Sequence, residues 1–222
     1  MDQPPLASLS LTHVYYDPED VLSLLCAYLA LIPQALCIVY ATLLLSTREV
    51  EIGLLFAGQV GCEVLNLVLK RVFKEDRPEV RLRGKGYGMP SSHAQFLAFW
   101  SLSLSLFLLL RHRPRDKMSS WPIAHRLLVS LLALALAALT AWSRVYLGYH
   151  SARQVVAGSA AGFVSAVGWY GVTASLRRWG CLAWALDSYP ARALRLRDLV
   201  VCEDVCQAGW EKWERERRKK SS

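Results

Sequence analysis

Three short groups of basic and histidine residues carry the side chains of this sequence that are best suited to phosphoryl transfer. The first group runs from Lys70 to Pro78, the second is Pro90-Ser91-Ser92-His93, and the third runs from Ser143 to His150. Arginine and lysine hold the charged oxygens of a phosphate, and the arginine fork can bind two of them at once. A histidine can attack phosphorus or protonate the departing oxygen. Together these groups predict a site for phosphoryl transfer.

Within the groups, different residue types suit different tasks. Lys70 and Arg77 are seven residues apart, which places both on one face of a helical segment. Ser92, followed three residues later by Gln95, is a capping-box pattern, and the free N–H groups of a helix start form an anion site. The cations suited to holding a phosphate are Lys70, Arg77 and Arg144. Because these cations can neutralise the transferred charge, we expect neither a cofactor nor a metal ion.

Each group taken alone has a simpler interpretation. A basic loop is more often a solvated face or a contact with lipid headgroups. A single histidine at the edge of an apolar segment is more often a hydrogen-bonding residue at the membrane interface. The combination of His93, His150 and the basic side chains favours a catalytic site, provided that the apolar segments bring the groups to one side.

Five apolar stretches separate these groups. They are residues 21–46, 52–69, 94–110, 127–141 and 155–175. A membrane-spanning helix needs about 20 mostly apolar residues. Any one stretch alone is also consistent with a buried helix of a soluble bundle, but five in 222 residues leave too little polar sequence to cover them. We therefore predict an all-α fold, a polytopic membrane helical bundle with about five transmembrane helices.

The net charge of +8 is concentrated between the apolar stretches and in the C-terminal tail. This distribution argues against a nucleic-acid-binding protein, which carries its basic residues on a soluble surface. With five spans, the 47–51 loop, the 111–126 loop and the tail share one side, which the positive-inside rule makes cytoplasmic. The predicted organisation is a lumenal segment over residues 1–20, a phosphatase domain over 21–176 and a partly interfacial basic tail over 177–222.

Two further patterns fall within the predicted spans. Gly158 and Gly162 form a G-x-x-x-G motif, which is typical of close helix packing. Glu63 lies on a polar face of the second span with Gln59, Asn66 and Lys70, at helical spacing. An ionisable residue inside a span is a candidate for function, and the alternative is a hydrogen-bond network between helices that places Lys70.

The order Lys-x6-Arg-Pro, Pro-Ser-x-His and Ser-Arg-x5-His resembles the three-part signature of the type-2 phosphatidic acid phosphatase superfamily, relatives of the vanadium haloperoxidases. The resemblance implies that His150 is the nucleophile and His93 the general acid. It also implies a phosphate-binding set, which is Lys70, Arg77, Ser91 or Ser92, and Arg144. It also implies metal-independent hydrolysis of lipid phosphates. Two residues depart from the family's pattern. Ser92 stands where the family usually has Gly, and Gln154 occupies the place of an Asp that would orient the nucleophile, and it brings no charge. A catalytically inactive membrane scaffold is therefore one alternative.

A narrower resemblance covers nearly the whole chain. Residues 87–96 and 143–149, with Leu11-Thr12-His13-Val14 and Leu196-Arg197-Asp198, are similar to the dolichyl diphosphate phosphatase branch, in which Gln also follows the nucleophile. The resemblance implies a polyisoprenoid lipid diphosphate as substrate and a role in protein N-glycosylation. It also implies residence in the endoplasmic reticulum membrane with a lumenal active site, while protein partners stay unknown. The other alternative is a phosphatase of the superfamily that acts on phosphatidate, sphingoid-base phosphate or another polyprenyl diphosphate.

Overall fold

The structure is a computed structural model, which describes residues 7–9, 14–78, 86–113 and 121–221. Part of the basic 111–126 loop, including Arg115 and Lys117, lies outside the described residues, as do Leu11, Thr12 and His13. The described chain is helical apart from one antiparallel hairpin and its connecting segments. The hairpin strands are β1 (Ala7–Leu9) and β2 (Val14–Tyr16).

Five helical spans confirm the predicted membrane bundle, and each is long and apolar enough to cross a membrane. The first span consists of α1 (Val21–Leu29) and α2 (Ile32–Thr47), and the second is α3 (Val50–Phe73). The third is α4 (Ser92–Leu106), continued by a π-helical turn over Phe107–Arg111. The others are α5 (Ile123–Tyr146) and α6 (Ala152–Arg178). Two short helices follow, α7 (Cys181–Asp187) and α8 (Tyr189–Ala193), and then a longer one, α9 (Val205–Ser221).

The first span, predicted as one continuous stretch, is broken between α1 and α2. Pro33 is the second residue of α2 and has no N–H to donate to the carbonyl of Leu29, so the helix is interrupted just before it. Ala30 and Leu31 form a turn at the break, and Ala30 is fully buried. The break leaves a backbone carbonyl beside the functional site described below.

Helix α4 is the centre of the bundle, packed against α3, α5 and α6. Phe99 and Leu97 of α4 are among the largest fully buried side chains of the described chain. Gly158 and Gly162 of α6 face α4: a Cβ at Gly158 would lie 2.5 Å from the Ser91 carbonyl oxygen, and one at Gly162 would lie 2.3 Å from that of Gln95. The predicted role of the two glycines in helix packing is therefore confirmed.

Two glutamates, Glu49 and Glu51, are buried at the end of the bundle that holds the 47–51 loop. Glu51 is ion-paired with Arg111 at 2.6 Å and with Arg177 at 2.5 Å, and Arg177 also pairs with Asp198. Glu49 accepts the backbone N–H groups of residues 199 and 200. These contacts fix the start of the C-terminal tail to the bundle. Several basic residues counted for the positive-inside argument therefore also have a structural role.

Candidate active site

Every predicted site residue except Glu63 lies at one end of the bundle, where α3 and α5 end and α4 and α6 begin. Lys70 is in the last turn of α3, and Arg77 is in the loop after it. Ser91 is the N-cap of α4, whose first two residues are Ser92 and His93. Arg144 is in the last turn of α5, His150 lies between α5 and α6, and Gln154 is in the first turn of α6. Alternation of the spans thus brings together residues that are up to 84 positions apart (from Lys70 to Gln154).

His150 is held with one ring nitrogen directed at two acceptors. Its Nδ1 lies 2.8 Å from the Gly88 carbonyl oxygen and 3.3 Å from Oε1 of Gln154. Because neither oxygen can donate, Nδ1 carries the hydrogen, and the neutral ring keeps its lone pair on Nε2. Nε2 is the atom that can attack phosphorus.

The surroundings of His150 favour its neutral, nucleophilic form. Its side chain is buried. Burial, together with the nearby positive charges of Arg144 and Arg77, lowers the pKa of His150 to about 3. A histidine with this pKa is unprotonated at physiological pH, as a nucleophile must be.

His93 is fixed by the break in the first span. Its Nε2 lies 3.1 Å from the carbonyl oxygen of Ala30, the residue that ends α1. A carbonyl only accepts hydrogen bonds, so this nitrogen carries a hydrogen and Nδ1 is the atom free to exchange a proton with a ligand. This arrangement suits a general acid whose second nitrogen is held by the protein.

Tyr149 organises the cationic side of the site. The Arg144 guanidinium lies 4.2 Å from the centroid of its ring, and that of Arg77 lies 5.9 Å from the same ring. These are cation–π distances. The Tyr149 hydroxyl accepts the backbone N–H of Tyr15 at 2.7 Å, and Val14 packs in the same buried cluster. The N-terminal hairpin therefore supports the residue that orients both arginines.

The side chains predicted to bind phosphate carry polar atoms that no described group satisfies. These are Nε of Arg77, Nε and Nη1 of Arg144, and Oγ of Ser91, all buried. Burying an unpaired donor costs about 1–3 kcal/mol, so native structures rarely keep several together without a ligand to satisfy them. Burial lowers the pKa of Arg77, although arginine stays charged at any physiological pH. The set forms a cradle for an anion.

The predicted capping box of Ser92 and Gln95 is wrong. Ser91 is the N-cap of α4, and its hydroxyl makes no capping bond. The Gln95 side chain points into the bundle, where it donates to the Cys62 carbonyl at 2.9 Å and accepts from Asn66 at 2.8 Å. These buried partners satisfy the Gln95 amide better than an exposed cap would. The capping box forms instead between Ser151 and Gln154, at the start of α6.

Glu63 lies outside the cluster that the other predicted site residues form, and its supporting role stays a prediction. It lies seven residues before Lys70 on α3, about 10 Å along the helix axis. Its Oε1 is buried without a hydrogen-bond partner among the described residues. The other polar residues of that face form the predicted network: Gln59 donates to the Phe96 carbonyl at 3.4 Å, and Asn66 bonds Gln95.

The sequence interpretation missed two residues that contact His150 or Gln154. Gly88 supplies a carbonyl to His150, and a Cβ there would lie 2.8 Å from Oε1 of Gln154. Glu75 accepts a hydrogen bond from Nε2 of Gln154 at 2.8 Å. A carboxylate beside Arg77 and a glycine just before the Pro-Ser-Ser-His group were the available signals.

The described cysteines are all free, and no three His, Cys, Asp or Glu side chains in the described ranges come together as ligands for a metal ion. The anion cradle is built from basic side chains.

Comparison with known proteins assigns the family. The model of the PAP2 superfamily matches residues 51–178. The chain is 49% identical to a putative dolichyldiphosphatase of Neurospora crassa, over 96% of this chain and 93% of the relative. It is 38% identical to dolichyldiphosphatase 1 of Homo sapiens, over 73% and 69%, and 31% identical to the dolichyldiphosphatase of Saccharomyces cerevisiae, over 84% and 79%.

No solved structure matches the chain significantly. The family match extends from α3 to the end of α6 and so includes all the predicted site residues, from Glu63 to Gln154. The chain therefore belongs to the PAP2 superfamily and, within it, to the family of the dolichyldiphosphatases.

Proposed function

We propose that this protein hydrolyses dolichyl diphosphate to dolichyl phosphate and inorganic phosphate through a phosphohistidine intermediate. The observation that carries the proposal is a cradle of buried donors on Arg77, Arg144 and Ser91 that have no partner among the described residues. The cradle lies beside a neutral histidine whose Nε2 keeps its lone pair. Relatives named dolichyldiphosphatase support the choice of lipid. The protein is thus a metal-independent lipid diphosphate phosphatase of the membrane.

In the first half-reaction, Nε2 of His150 attacks the terminal phosphorus of the diphosphate. A P–N bond forms while the bond between that phosphorus and the bridging oxygen breaks. His93, which starts as the imidazolium, gives the proton on Nδ1 to that oxygen as dolichyl phosphate leaves. Lys70, Arg77 and Arg144 neutralise the phosphoryl oxygens throughout. The bond from Nδ1 to Gly88 keeps the imidazole oriented as it gains positive charge.

In the second half-reaction, water attacks the phosphohistidine. His93, now neutral, takes a proton from the water, the P–N bond breaks, and inorganic phosphate leaves. Both histidines return to their starting protonation states. The net reaction consumes one water and releases one phosphate for each diphosphate.

We place the protein in the endoplasmic reticulum membrane, with the site facing the lumen and the C-terminus in the cytoplasm. The basic tail contacts the 47–51 end of the bundle, while the N-terminal hairpin contacts Tyr149 at the site end. The positive-inside rule then assigns the tail end to the cytoplasm. In this organisation, residues 1–20 are lumenal, 21–176 form the phosphatase domain and 177–222 form the tail. The product would re-enter the pool of carrier lipid for N-glycosylation.

The function is tested by phosphate release from dolichyl diphosphate with purified protein in detergent, in parallel with phosphatidate and dolichyl monophosphate. We expect the diphosphate to be the preferred substrate, His150→Ala to be inactive and His125→Ala to be fully active, since His125 is exposed at the opposite end. An acid-labile phosphoprotein should form in the unmutated protein and not in His150→Ala. Equal hydrolysis of phosphatidate would overturn the substrate assignment, and activity of His150→Ala would overturn the nucleophile. Glycosylation of a tag at the N-terminus, but not at the C-terminus, in microsomes would support the orientation.

A further inference from the structure

The side-chain amide of Gln154 is held in one orientation by the loop that follows α3. Its Nε2 donates to Oε1 of Glu75 and to the backbone carbonyl of Asp76, each at 2.8 Å. Its Oε1 faces the backbone N–H of Ser151 and Nδ1 of His150, each at 3.3 Å. Reversing the amide would place its NH2 group against two donors and its oxygen against two acceptors. The acceptors on the loop therefore decide which end of Gln154 meets the nucleophile.

Glu75 also acts on the second acceptor of His150. The backbone carbonyl of Glu75 accepts the N–H of Gly88 at 2.6 Å, and the carbonyl of Gly88 accepts Nδ1–H of His150. Both oxygens that bond the nucleophile are thus connected to Glu75, one through its side chain and one through its backbone.

The Glu75 carboxylate is itself fixed in place. Its second oxygen, Oε2, is ion-paired with Arg153 at 2.5 Å, and its side chain is 27% exposed. A carboxylate that is held on both oxygens presents a defined acceptor and a negative charge to the Gln154 amide. That amide is buried, so the hydrogen bond to Glu75 is shielded from water on the Gln154 side.

We propose that Glu75 is a positioning residue for the nucleophile and acts on His150 through Gln154. Glu75 sets the amide orientation, which keeps the hydrogen of His150 on Nδ1 and the lone pair on Nε2. Its charge also stabilises the imidazole ring when bond formation to phosphorus makes that ring cationic. The pair of Glu75 and Gln154 thus supplies what an aspartate at position 154 would supply directly. This proposal rests on the proposed function, in which His150 is the nucleophile.

The first test removes the carboxylate. In Glu75→Ala, Nε2 of Gln154 keeps only the Asp76 carbonyl, and the amide loses its anionic partner. We expect kcat for dolichyl diphosphate to fall about 10- to 100-fold, with KM changed less than about threefold. This is the range of the losses found when the hydrogen-bonding partner of a metal-ligating histidine is removed. The rate of phosphohistidine formation in a single turnover should fall by the same factor as kcat. The matched control is Glu214→Gln: Glu214 has a side chain 30% exposed and pairs with Arg218 in α9.

The second test moves the charge along the chain of bonds. Gln154→Glu places two carboxylates against each other where a 2.8 Å hydrogen bond now lies. We expect kcat of this variant to fall by at least the factor expected for Glu75→Ala. In the double variant Glu75→Gln with Gln154→Glu, the new Gln donates to the new Glu, which accepts Nδ1–H directly. We expect the double variant to be at least about tenfold more active than Gln154→Glu alone, because repulsion at one of the two contacts is removed.

The outcomes separate this inference from the proposed function. Glu75→Ala within twofold of the unmutated protein, with His150→Ala inactive, overturns the role of Glu75 and leaves the nucleophile intact. A double variant no more active than Gln154→Glu also overturns it. A loss of activity that follows the fraction of folded protein, measured by thermal unfolding in detergent, with unchanged kcat per folded molecule, shows a structural role only and overturns the proposal. Activity in His150→Ala would reject the proposed function itself.

Discussion

Gly88 lies where the loop before α4 passes over the amide of Gln154, and Gly88→Ala is a direct test of the site geometry. A Cβ at this position would lie 2.8 Å from Oε1, 2.9 Å from Nε2 and 3.0 Å from Cδ of Gln154. Ordinary contacts of a Cβ begin near 3.4 Å, so the amide must retreat by about half an ångström, given how closely protein interiors are packed. The amide cannot rotate freely, because Glu75 and Asp76 hold its other face.

The expected loss follows from the bonds that this retreat disturbs. The contact between Nδ1 of His150 and Oε1 of Gln154 is already 3.3 Å long, and a further half ångström takes it beyond hydrogen-bonding distance. The bond from His150 to the Gly88 carbonyl, at 2.8 Å, is retained. Losing one buried hydrogen bond costs about 1–3 kcal/mol, which corresponds to about a 5- to 150-fold decrease in kcat if the bond is needed in the transition state.

The assay is phosphate release from dolichyl diphosphate at saturating substrate, normalised to folded protein. Gly171→Ala is the control, because a Cβ at Gly171 meets nothing within 4 Å. We expect the control to retain full activity and Gly88→Ala to lose it with little change in KM. Full activity in Gly88→Ala would refute the argument that the Gln154 amide must stay in contact with His150.

Four further predictions concern the cradle, the nucleophile, the packing of α6 and the role of metal ions. Arg144→Lys keeps the charge but loses the guanidinium fork, so kcat/KM should fall about 10- to 150-fold, equivalent to one charged hydrogen bond of about 1.5–3 kcal/mol. The control is Arg192→Lys, because Arg192 belongs to an exposed ion pair. If Arg144→Lys is as active as the unmutated protein, Arg144 does not make a bidentate contact with phosphate. The pKa of His150 is lowered to about 3, whereas the unfolded chain takes up a proton near pH 6.5, so stability is lost as pH falls through this window. Between pH 7.5 and 4.5 we expect His150→Asn to lose about 2–3 kcal/mol less unfolding free energy than the unmutated protein. If plots of unfolding free energy against pH are parallel for the two proteins, the pKa of His150 is not lowered in the folded state. Gly158→Ala should lower the unfolding free energy by about 1–3 kcal/mol, because its Cβ would lie 2.5 Å from a backbone oxygen. Gly168→Ala, in open space on the same helix, should leave the unfolding free energy unchanged. If the two variants are equally stable, α4 and α6 are not in close contact at Gly158. EDTA should leave turnover unchanged, and a steep loss that Mg²⁺ restores would show that the basic cradle does not act alone.

The sequence by itself determined the bundle and the identity of the chemical groups. Apolar stretches near 20 residues are decided by the cost of placing polar groups in lipid, a property of each segment alone. Their number decides which loops share a side of the membrane, so the order of the spans is enough to predict that His93, Arg144 and His150 lie together. The helices extend a few residues beyond the predicted apolar stretches. Their terminal turns contain polar residues such as Lys70, Ser92 and Arg144, which a search for apolar residues does not include.

Tertiary structure decided how the chemical groups are held. The carbonyl that bonds His93 comes from Ala30, 63 residues away, and exists there because α1 ends beside α4. Glu75 reaches Gln154 across 79 residues of sequence. Contacts of this kind depend on the packing of three or four helices at once, so no local pattern of charge or hydropathy predicts them. In the sequence, Gln154 stands out only because it lacks the charge of an aspartate. In the structure it connects His150 to the carboxylate of Glu75, because the loop after α3 lies against the start of α6.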